Sequence, residues 1–341
     1  MSSICRRGYK AYVSTVCRPG NYFKLLAYSL VSICCARYRC ISSKYLAVAF
    51  SPIEKHILEE EYNDVRIYGL VGDGLMQSIR NHSVVGVVPY TKRIPVLFSA
   101  LKYSREDSIP YSFCLEFALL EKAVTECIGL IDSVSTAVHY ERYAIWLADL
   151  CERYSLGYKL FQHGTVIGLT PIENKISVND AYVFNEIEQR YFSSAIVKNS
   201  DCVYHRRPFK SSITFKESNI SGHKVALISQ GDYRFDYEII ESIVCCGVDL
   251  CLFYYIHPAS SIPRRVIKKC ASESVVICPN DRFSDVDLVV TKNSTMVYDY
   301  LYCSTFYGKI LCVDDQFRFD GFDSVDVVND VQAVIERVCT L

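Results

Sequence analysis

The sequence predicts an α/β protein made of two parallel-sheet domains, and three observations lead to this fold class. The chain has 341 residues, which is enough for two α/β domains of ordinary size. Short apolar runs alternate along it with segments whose apolar residues have helical spacing. This alternation is interrupted by a polar stretch at 201–222 and then restarts. Strands that alternate with helices form parallel sheets through right-handed crossovers, so each half is expected to be a doubly wound, Rossmann-type domain.

The first domain, residues 1–200, is predicted from the spacing of its apolar residues. The run at 46–50 is short and bounded by Ser51-Pro52, which is typical of a buried strand. The segment 140–154 has apolar residues on one helical face, and Gly157 follows it as a stop signal. The same criteria predict strands at 65–71, 83–88, 94–100, 158–161, 180–184 and 194–197, helices at 54–62 and 112–127, and an apolar run at 127–131 that ends at Asp132.

The second domain, residues 223–341, follows a polar, basic and irregular connection at 201–222. Its pattern is regular. Strands are predicted at 224–229, 249–255, 274–278, 286–290 and 309–313, helices at 236–246, 263–271 and 294–302, and a closing strand and helix within 324–338. This half is therefore expected to repeat the architecture of the first.

The composition excludes several classes of protein. The net charge is −1, so no global basic field favours binding to nucleic acid. The 17 cysteines include no Cys-x-x-Cys pair, and no secretory signal accompanies them. A disulfide framework and a zinc site are therefore disfavoured, and most cysteines are expected to be small apolar fillers in a reducing cytoplasm. A metal-independent reaction without a cofactor is expected, because no Asp-x-Asp arrangement supports a metal at the paired Asp314-Asp315. Gly72-Asp73-Gly74 lacks the dinucleotide and phosphate-loop patterns and is interpreted as a turn.

The amino-terminal segment contains basic residues but no acidic ones. Residues 1–53 contain no Asp or Glu, whereas residues 1–44 contain eight Lys or Arg. The apolar run at 22–36 is short for a transmembrane span and carries Lys24 near its start. One interpretation is a basic, amphipathic surface that makes peripheral contact with anionic lipids of the inner membrane. The alternative is an ordinary first helix whose acidic neighbours lie elsewhere in the domain.

Three short motifs lie where strand-like runs end and polar turns begin. They are Gln162-His163-Gly164, His257-Pro258 and Ser294-Thr295. In open α/β sheets, ligands bind outside the carboxyl ends of the strands. The sequence therefore predicts one ligand cleft between the two domains. The chemistry indicated is the transfer of a group from a phosphate-bearing donor.

The motifs of the second domain predict a phosphate site. Ser294-Thr295 precedes a predicted helix, where two hydroxyls and the partial positive charge of a helix start suit a phosphate. A plain helix cap is the alternative. In His257-Pro258 the imidazole can donate to a phosphate oxygen while the proline fixes the turn. Gln230-Gly231 ends the first strand of this domain, and its glycine permits close backbone approach to a ligand.

The motif of the first domain predicts a general base. His163 follows a buried strand and precedes Gly164, and His is the commonest base for an acceptor hydroxyl. A structural histidine in a turn is the alternative. Asp132 follows the apolar run at 127–131, so it is a candidate for a second base or for orienting His163. Its alternative is a helix cap together with Ser133.

These motifs, in this order, resemble those of bacterial surface-polysaccharide glycosyltransferases of GT-B architecture, which have two Rossmann-type domains that face a central cleft. The resemblance is strongest to the CMP-sialic acid-dependent sialyltransferases of lipooligosaccharide, O-antigen and capsule synthesis. It spans roughly residues 125 to 315. The turn His163-Gly164-Thr165 is similar to the His-Gly-Thr motif of the teichoic-acid glycerophosphotransferases.

The resemblance implies a role for each motif. His163 would be the catalytic base, His257 would contact the phosphate of the donor nucleotide, and Ser294-Thr295 would hold the same phosphate. The donor would be a CMP-activated sugar and the acceptor a glycan hydroxyl, which can be lipid-linked. The chain departs from the sialyltransferase pattern at Gln162-His163, where those enzymes have two acidic residues. This departure leaves open another donor (CDP-glycerol, CMP-Kdo or a UDP-sugar) or a non-catalytic subunit of polysaccharide assembly.

Overall fold

The structure is a computed structural model, and it describes most of the chain. The described residues are 2–15, 19–68, 75–139, 141–166, 172–209, 214–216, 222–229, 231–256, 274–278, 282–292, 294, 296–303, 306–313 and 322–341. The chain divides into two compact units, Met1–Pro208 and Phe209–Leu341.

The first unit contains a six-stranded sheet with the order β2-β1-β3-β4-β5-β6, in which every pairing is parallel. Its strands are β1 (Tyr45–Ala49), β2 (Val65–Ile67), β3 (Ser133–Thr136), β4 (Gly157–Phe161), β5 (Asp180–Val183) and β6 (Val203–Arg206). The strand order reverses between β1 and β3, which makes that gap the topological switch point of the sheet.

Helices surround this sheet and complete the core of the first unit. They are α1 (Ser2–Thr15), α2 (Pro19–Cys35), α3 (Pro52–Glu59), α4 (Leu75–His82), α5 (Tyr90–Asp107), α6 (Tyr111–Glu126), α7 (Arg142–Tyr154) and α8 (Glu186–Tyr191). Most residues of α6 are buried, because α2 and α5 both pack against it. The buried Trp146 of α7 makes edge-on and tilted ring contacts with Phe113 and Phe117 of α6, which tie the two helices together.

The second unit contains a six-stranded parallel sheet with the order β10-β9-β8-β12-β13-β14. Its strands are β8 (His223–Ile228), β9 (Leu250–Tyr255), β10 (Val275–Cys278), β12 (Leu288–Thr291), β13 (Lys309–Cys312) and β14 (Val325–Val327). Two short strands, β7 (Thr214–Lys216) and β11 (Arg282–Ser284), form a separate parallel pair. The described helices are α9 (Tyr233–Cys245), α10 (Val297–Leu301) and α11 (Val331–Val338). If the six strands of this sheet are numbered 1 to 6 in chain order, their order across the sheet is 3-2-1-4-5-6, which is the Rossmann order.

The predicted fold class is therefore confirmed: the protein is α/β, with two Rossmann-type parallel-sheet units. Several predicted elements differ. The segment 83–88 forms a 3₁₀ helix at Val84–Val87, and 94–100 lies inside α5 rather than in a strand. The segment 194–197 overlaps a π-helix at Phe192–Ile196, and the predicted connection at 201–222 contains β6, the last strand of the first sheet. The predicted helix at 263–271 lies outside the described residues.

Candidate functional site

The carboxyl edge of the first sheet carries the predicted base and two residues that sequence reasoning passed over. His163 follows β4, His139 follows β3, and Glu54 follows β1. The switch point of this sheet lies between β1 and β3, where ligands of open α/β sheets bind. The topology thus gathers three titratable side chains at the edge where a ligand is expected.

His163 is held in one tautomer by a backbone carbonyl. Its Nδ1 is hydrogen-bonded to the carbonyl oxygen of Ala137, and because that oxygen can only accept, Nδ1 carries the proton. The other ring nitrogen, Nε2, therefore has the free lone pair of a neutral imidazole. Burial lowers the pKa of His163, against the opposing influence of the Ala137 hydrogen bond and the negative charge of Glu141. The imidazole of His163 is thus uncharged at neutral pH and can accept a proton.

His139 stacks on His163, with ring centroids 4.3 Å apart. It is 2 % exposed, and burial lowers its pKa well below the ordinary histidine value, with the neighbouring charge of His163 acting in the same direction. Its Nε2 lies 3.0 Å from the backbone nitrogen of His163 and 3.2 Å from the carbonyl oxygen of Phe161. The backbone N–H of His163 can only donate, so a deprotonated Nε2 satisfies it.

The loop that carries His163 is anchored at both ends by buried side chains. The Gln162 amide is fully buried, donates to the carbonyl of Gly164 at 2.9 Å and accepts from the backbone N–H of Phe184 at 2.9 Å. The fully buried carboxylate of Glu188 accepts from the Thr165 hydroxyl at 2.8 Å and from the Val166 N–H at 2.9 Å. These bonds fix the loop geometry, and rigid support of this kind is what a positioned catalytic side chain requires.

Glu54 is a buried carboxyl with a strongly raised pKa. Burial raises the pKa of Glu54 to about 7, although hydrogen bonds from the Phe50 N–H and the Ser51 hydroxyl act in the opposite direction. The charge of Glu141 raises it further, and the same Glu141 acts on His163. Ser51 caps α3 by accepting from the Glu54 N–H, and the Glu54 carboxylate reaches back to the Phe50 N–H, so the pair resembles a capping box shifted by one residue. The Ser-x-x-Glu spacing of this capping box is visible in the sequence and would have located Glu54.

Asp132 does not join this group, and the placement predicted for it is wrong. The run 127–131 is a turn after α6, and the strand begins one residue later, at Ser133. Asp132 therefore enters β3 at its amino end and is exposed, whereas His163 leaves β4 at its carboxyl end. The two residues lie at opposite edges of the sheet, about 13 Å or more apart for a strand of this length. Asp132 cannot orient His163.

At the carboxyl edge of the second sheet, the turn after β8 is tightly organised. The Ser229 hydroxyl donates to the buried Asp236 at 2.5 Å and accepts from the backbone N–H of Gly231 at 2.9 Å. Gly231 has a φ of 87°, a left-handed conformation that favours glycine. The requirement for glycine at this predicted site is therefore conformational. Gln230, the other predicted residue of this turn, lies outside the described residues.

Lys292 lies beside this turn, just after β12, and sequence reasoning missed it. Its Nζ is 3.2 Å from Asp232, the N-cap of α9, and 5.4 Å from the centre of the Phe235 ring. Burial acts to raise the pKa of Asp232, but the hydrogen bond and charge of Lys292 and the hydrogen bonds from the Phe235 and Arg234 backbone N–H groups together lower it below its ordinary value. β8 and β12 are neighbours at the switch point of the second sheet. Lys292 therefore places a cation where a ligand of this sheet is expected.

Ser294 is 3 % exposed and its polar groups are used locally. Its N–H donates to the Thr291 hydroxyl at 3.1 Å, and its own hydroxyl accepts from the Met296 N–H at 3.4 Å. These bonds lie within the turn before α10, whose N-cap residue is Met296 and which has no side-chain cap. Of the other predicted donor-site residues, His257, Pro258 and Thr295 lie outside the described residues. Among the residues that are described, no group of three or more His, Cys, Asp or Glu is arranged to hold a metal ion.

Comparisons with known proteins give low similarities. No family model matches the chain, and no curated protein matches it. A structure assigned as a UDP-N-acetylglucosamine 2-epimerase from Listeria monocytogenes matches 87 % of each chain at 7 % identity, with a TM-score of 0.43. MurG from Acinetobacter baumannii matches 87 % of this chain and 90 % of its own at 9 % identity, with a TM-score of 0.38. UGT89C1 from Arabidopsis thaliana, complexed with UDP-L-rhamnose, matches 86 % and 82 % at 8 % identity, with a TM-score of 0.41.

Within the described part of the chain, no helix combines the length and the apolar character needed to cross a membrane.

Proposed function

We propose that this protein is a glycosyltransferase in which His163 is the general base. The observation that carries the proposal is the hydrogen bond of its Nδ1 to the Ala137 carbonyl, which leaves the basic Nε2 free to accept a proton. The loop around it is anchored by Gln162 and Glu188, so the imidazole is held ready before the substrate arrives. The motif resemblance to surface-polysaccharide glycosyltransferases gives the reaction class.

The chemical step follows from this arrangement. The acceptor hydroxyl transfers its proton to Nε2 of His163 as its oxygen attacks the anomeric carbon of the donor sugar. The bond between that carbon and the phosphate oxygen breaks, and the nucleotide leaves with the electron pair. The negative charge of Glu141 favours the imidazolium that forms. His139 stays neutral beside it, since burial strongly disfavours a second positive charge there.

The donor is proposed to bind at the carboxyl edge of the second sheet. Lys292 supplies a positive charge there for the donor phosphate, and the left-handed Gly231 shapes the neighbouring turn. A leaving group that is already charged needs this electrostatic neutralisation more than it needs an acid. His257 and Thr295 retain the donor-binding roles that the motif resemblance implies.

In its specific form, the proposal is transfer of sialic acid from CMP-sialic acid to a glycan hydroxyl during O-antigen, lipooligosaccharide or capsule synthesis. This form depends on the order of the three motifs. The Gln162-His163 pair departs from the sialyltransferase pattern. CDP-glycerol, CMP-Kdo and UDP-sugars are therefore the competing donors, and a non-catalytic assembly subunit is the competing class.

Titration calorimetry of the purified protein with CMP, CDP and UDP tests the donor. Binding of CMP that is lost in His257→Ala supports the CMP-sugar form, and a preference for CDP or UDP moves the donor to glycerol or another sugar. Absence of binding by all three nucleotides would contradict the transferase proposal. His163→Ala then separates the classes: an enzyme keeps nucleotide binding and loses turnover, whereas a non-catalytic subunit keeps its function in assembly.

A further inference from the structure

The outer side of α2 carries a continuous exposed apolar stripe. Phe23, Ala27, Leu30, Val31 and Cys34 are all exposed, and their spacing of four, three, one and three residues places them on one helical face. Phe23 is 76 % exposed. The opposite side of this helix packs on α6 and holds the buried Tyr28, Ser29 and Ser32. Exposed apolar side chains in a continuous row, unlike scattered ones, mark an interaction surface.

The outer side of α5 carries a second stripe of the same kind. Ile94, Phe98 and Leu101 are spaced by four and three residues, and Ile94 and Phe98 are 60 % and 69 % exposed. The buried side of α5 contains Val96 and Ala100, which face the core. Both helices thus have one apolar side that is used in folding and another that is left in contact with water.

The two helices contact each other where α2 ends and α5 begins. The buried guanidinium of Arg93 in α5 donates to the carbonyl of Ile33 at 3.3 Å and to the carbonyl of Ala36. The backbone N–H of Tyr38 donates to the hydroxyl of Tyr90 at 3.3 Å. Since α2 and α5 also pack on the same helix, α6, their outer sides both face away from it. We name the two exposed stripes together the α2–α5 face.

Basic residues accompany the stripes. Lys24, Arg37, Arg39, Lys102 and Arg105 are all exposed on these two helices or directly after α2. The acidic side chains of α5 are Glu106, which is 3.8 Å from Lys102, and Asp107, which is paired with Arg6 at 2.5 Å. No acidic residue occurs in the sequence before Glu54, so α2 and the segment after it have none. The exposed charge around the apolar stripes is therefore predominantly positive.

We propose that the α2–α5 face docks on the surface of a bilayer that contains anionic phospholipid. Phe23, Leu30 and Phe98 would enter the boundary between headgroups and acyl chains, about 5–10 Å deep for helices that lie in this plane. The basic side chains would lie at the level of the headgroup phosphates. A face-to-face pair of copies of this chain would bring the same positive charges together, so the charge favours lipid over self-association. The docking is independent of the proposed transferase chemistry.

Co-sedimentation of the full chain with vesicles of phosphatidylcholine, with and without phosphatidylglycerol, tests this proposal. We expect binding that requires phosphatidylglycerol and that weakens as ionic strength rises. Phe23→Ser with Phe98→Ser should weaken it by about tenfold or more, since two large apolar side chains lose their buried area. Arg37→Glu with Arg39→Glu should weaken it as well, while the double Lys variant at these two positions should bind like the wild type.

The matched control is Val244→Ser with Tyr307→Ser, which removes two exposed apolar side chains from the second unit and should leave vesicle binding unchanged. Circular dichroism confirms that each variant is folded. Failure of the wild-type protein to bind phosphatidylglycerol vesicles would overturn the proposal, as would equal binding by the Phe23→Ser, Phe98→Ser variant. A dimer in light scattering that this variant abolishes would assign the face to self-association and would also overturn it.

Discussion

The imidazole rings of His139 and His163 stack with their planes 29° apart. The stack joins the carboxyl ends of β3 and β4, and the offset of 24 residues that pairs Thr136 with Leu160 also relates the two histidines. Two stacked imidazoles cannot both be charged without strong repulsion, and burial lowers the pKa of both. The arrangement therefore keeps His139 neutral and leaves proton acceptance to His163.

Replacement of His163 by Gln should abolish most of the turnover while nucleotide binding is retained. A positioned general base contributes about 10²–10⁴-fold, so the loss in kcat should fall in that range. In the wild-type enzyme, kcat/KM should rise with pH through a pKa below the ordinary histidine value of about 6.5, because burial lowers the pKa of His163. Initial rates from pH 5 to 8 check this. An acidic limb that persists in the Gln variant would assign the base to another group.

The free energy of unfolding should depend on pH because of His139. Its pKa in the native state is well below the unfolded value of about 6.5, so the unfolded chain takes up this proton first as the pH falls. The contribution of neutral His139 to the free energy of unfolding is complete above pH 6.5 and is lost progressively below it. His139→Gln should remove this pH dependence. Urea unfolding of the wild type and the variant at pH 7.5 and pH 5 measures how much stability each loses. An equal loss in both proteins would contradict the prediction.

The contribution of Glu54 to the free energy of unfolding should have the opposite pH dependence. Its pKa rises from an ordinary 4.5 to about 7 in the native state, so the native state binds this proton more tightly than the unfolded chain. Its stabilising protonated form is complete below pH 4.5, and stability is lost as the pH rises through 7. Glu54→Gln removes the charge and should gain stability relative to the wild type at pH 8 but not at pH 4.5. Urea unfolding at the two pH values tests this, and an equal effect at both would contradict it.

Much of the fold could be predicted because local sequence and tertiary structure agree there. The apolar runs that form β1, β4 and β8 are short and end at polar turns, and the helical spacing of α6 and α7 fits no strand. The prediction failed at α5, where 94–100 is locally as apolar as a strand. Its helical character appears only over a longer window, in which Arg93, Val96, Ala100 and Tyr103 are the buried residues.

The candidate site could be predicted in part, for a similar reason. His163 has local signals, since a strand precedes it and a glycine follows it. His139 has no glycine or proline beside it, and its partner is brought to it by the register of two parallel strands. Lys292 acquires its position from the pairing of β8 with β12, which are far apart in the chain. Such relations depend on tertiary contacts and leave no local mark in the sequence.

Glu188 should act as a positioning residue for the His163 loop. Its two carboxylate oxygens accept from the Thr165 hydroxyl and the Val166 N–H, and Gln at this position can supply only one acceptor. The Thr165 hydroxyl then loses its charged acceptor and must accept from the amide instead, at a cost of about 1–3 kcal/mol. Glu188→Gln should lower kcat more than it changes KM, since the loop that orients the base is loosened. Gly164→Ala is the control for the loop's stability: a Cβ there would meet nothing within 4 Å, so the free energy of unfolding should be close to that of the wild type.

Lys292 should contribute to donor binding through its charge. A cation at the carboxyl edge of the second sheet attracts a donor phosphate, and its loss should weaken nucleotide binding by about five- to tenfold, or roughly 1 kcal/mol for a partly exposed charge. Lys292→Met removes the charge and keeps the apolar stem near Phe235. Lys309→Met is the matched control, because Lys309 is exposed at the amino end of β13, away from that edge. Titration calorimetry with the preferred nucleotide compares the two. Equal nucleotide affinity of the two variants would show that Lys292 is not part of the donor site. A loss of affinity in Lys292→Met alone that becomes smaller at high salt would assign the phosphate to the β8–β12 switch point.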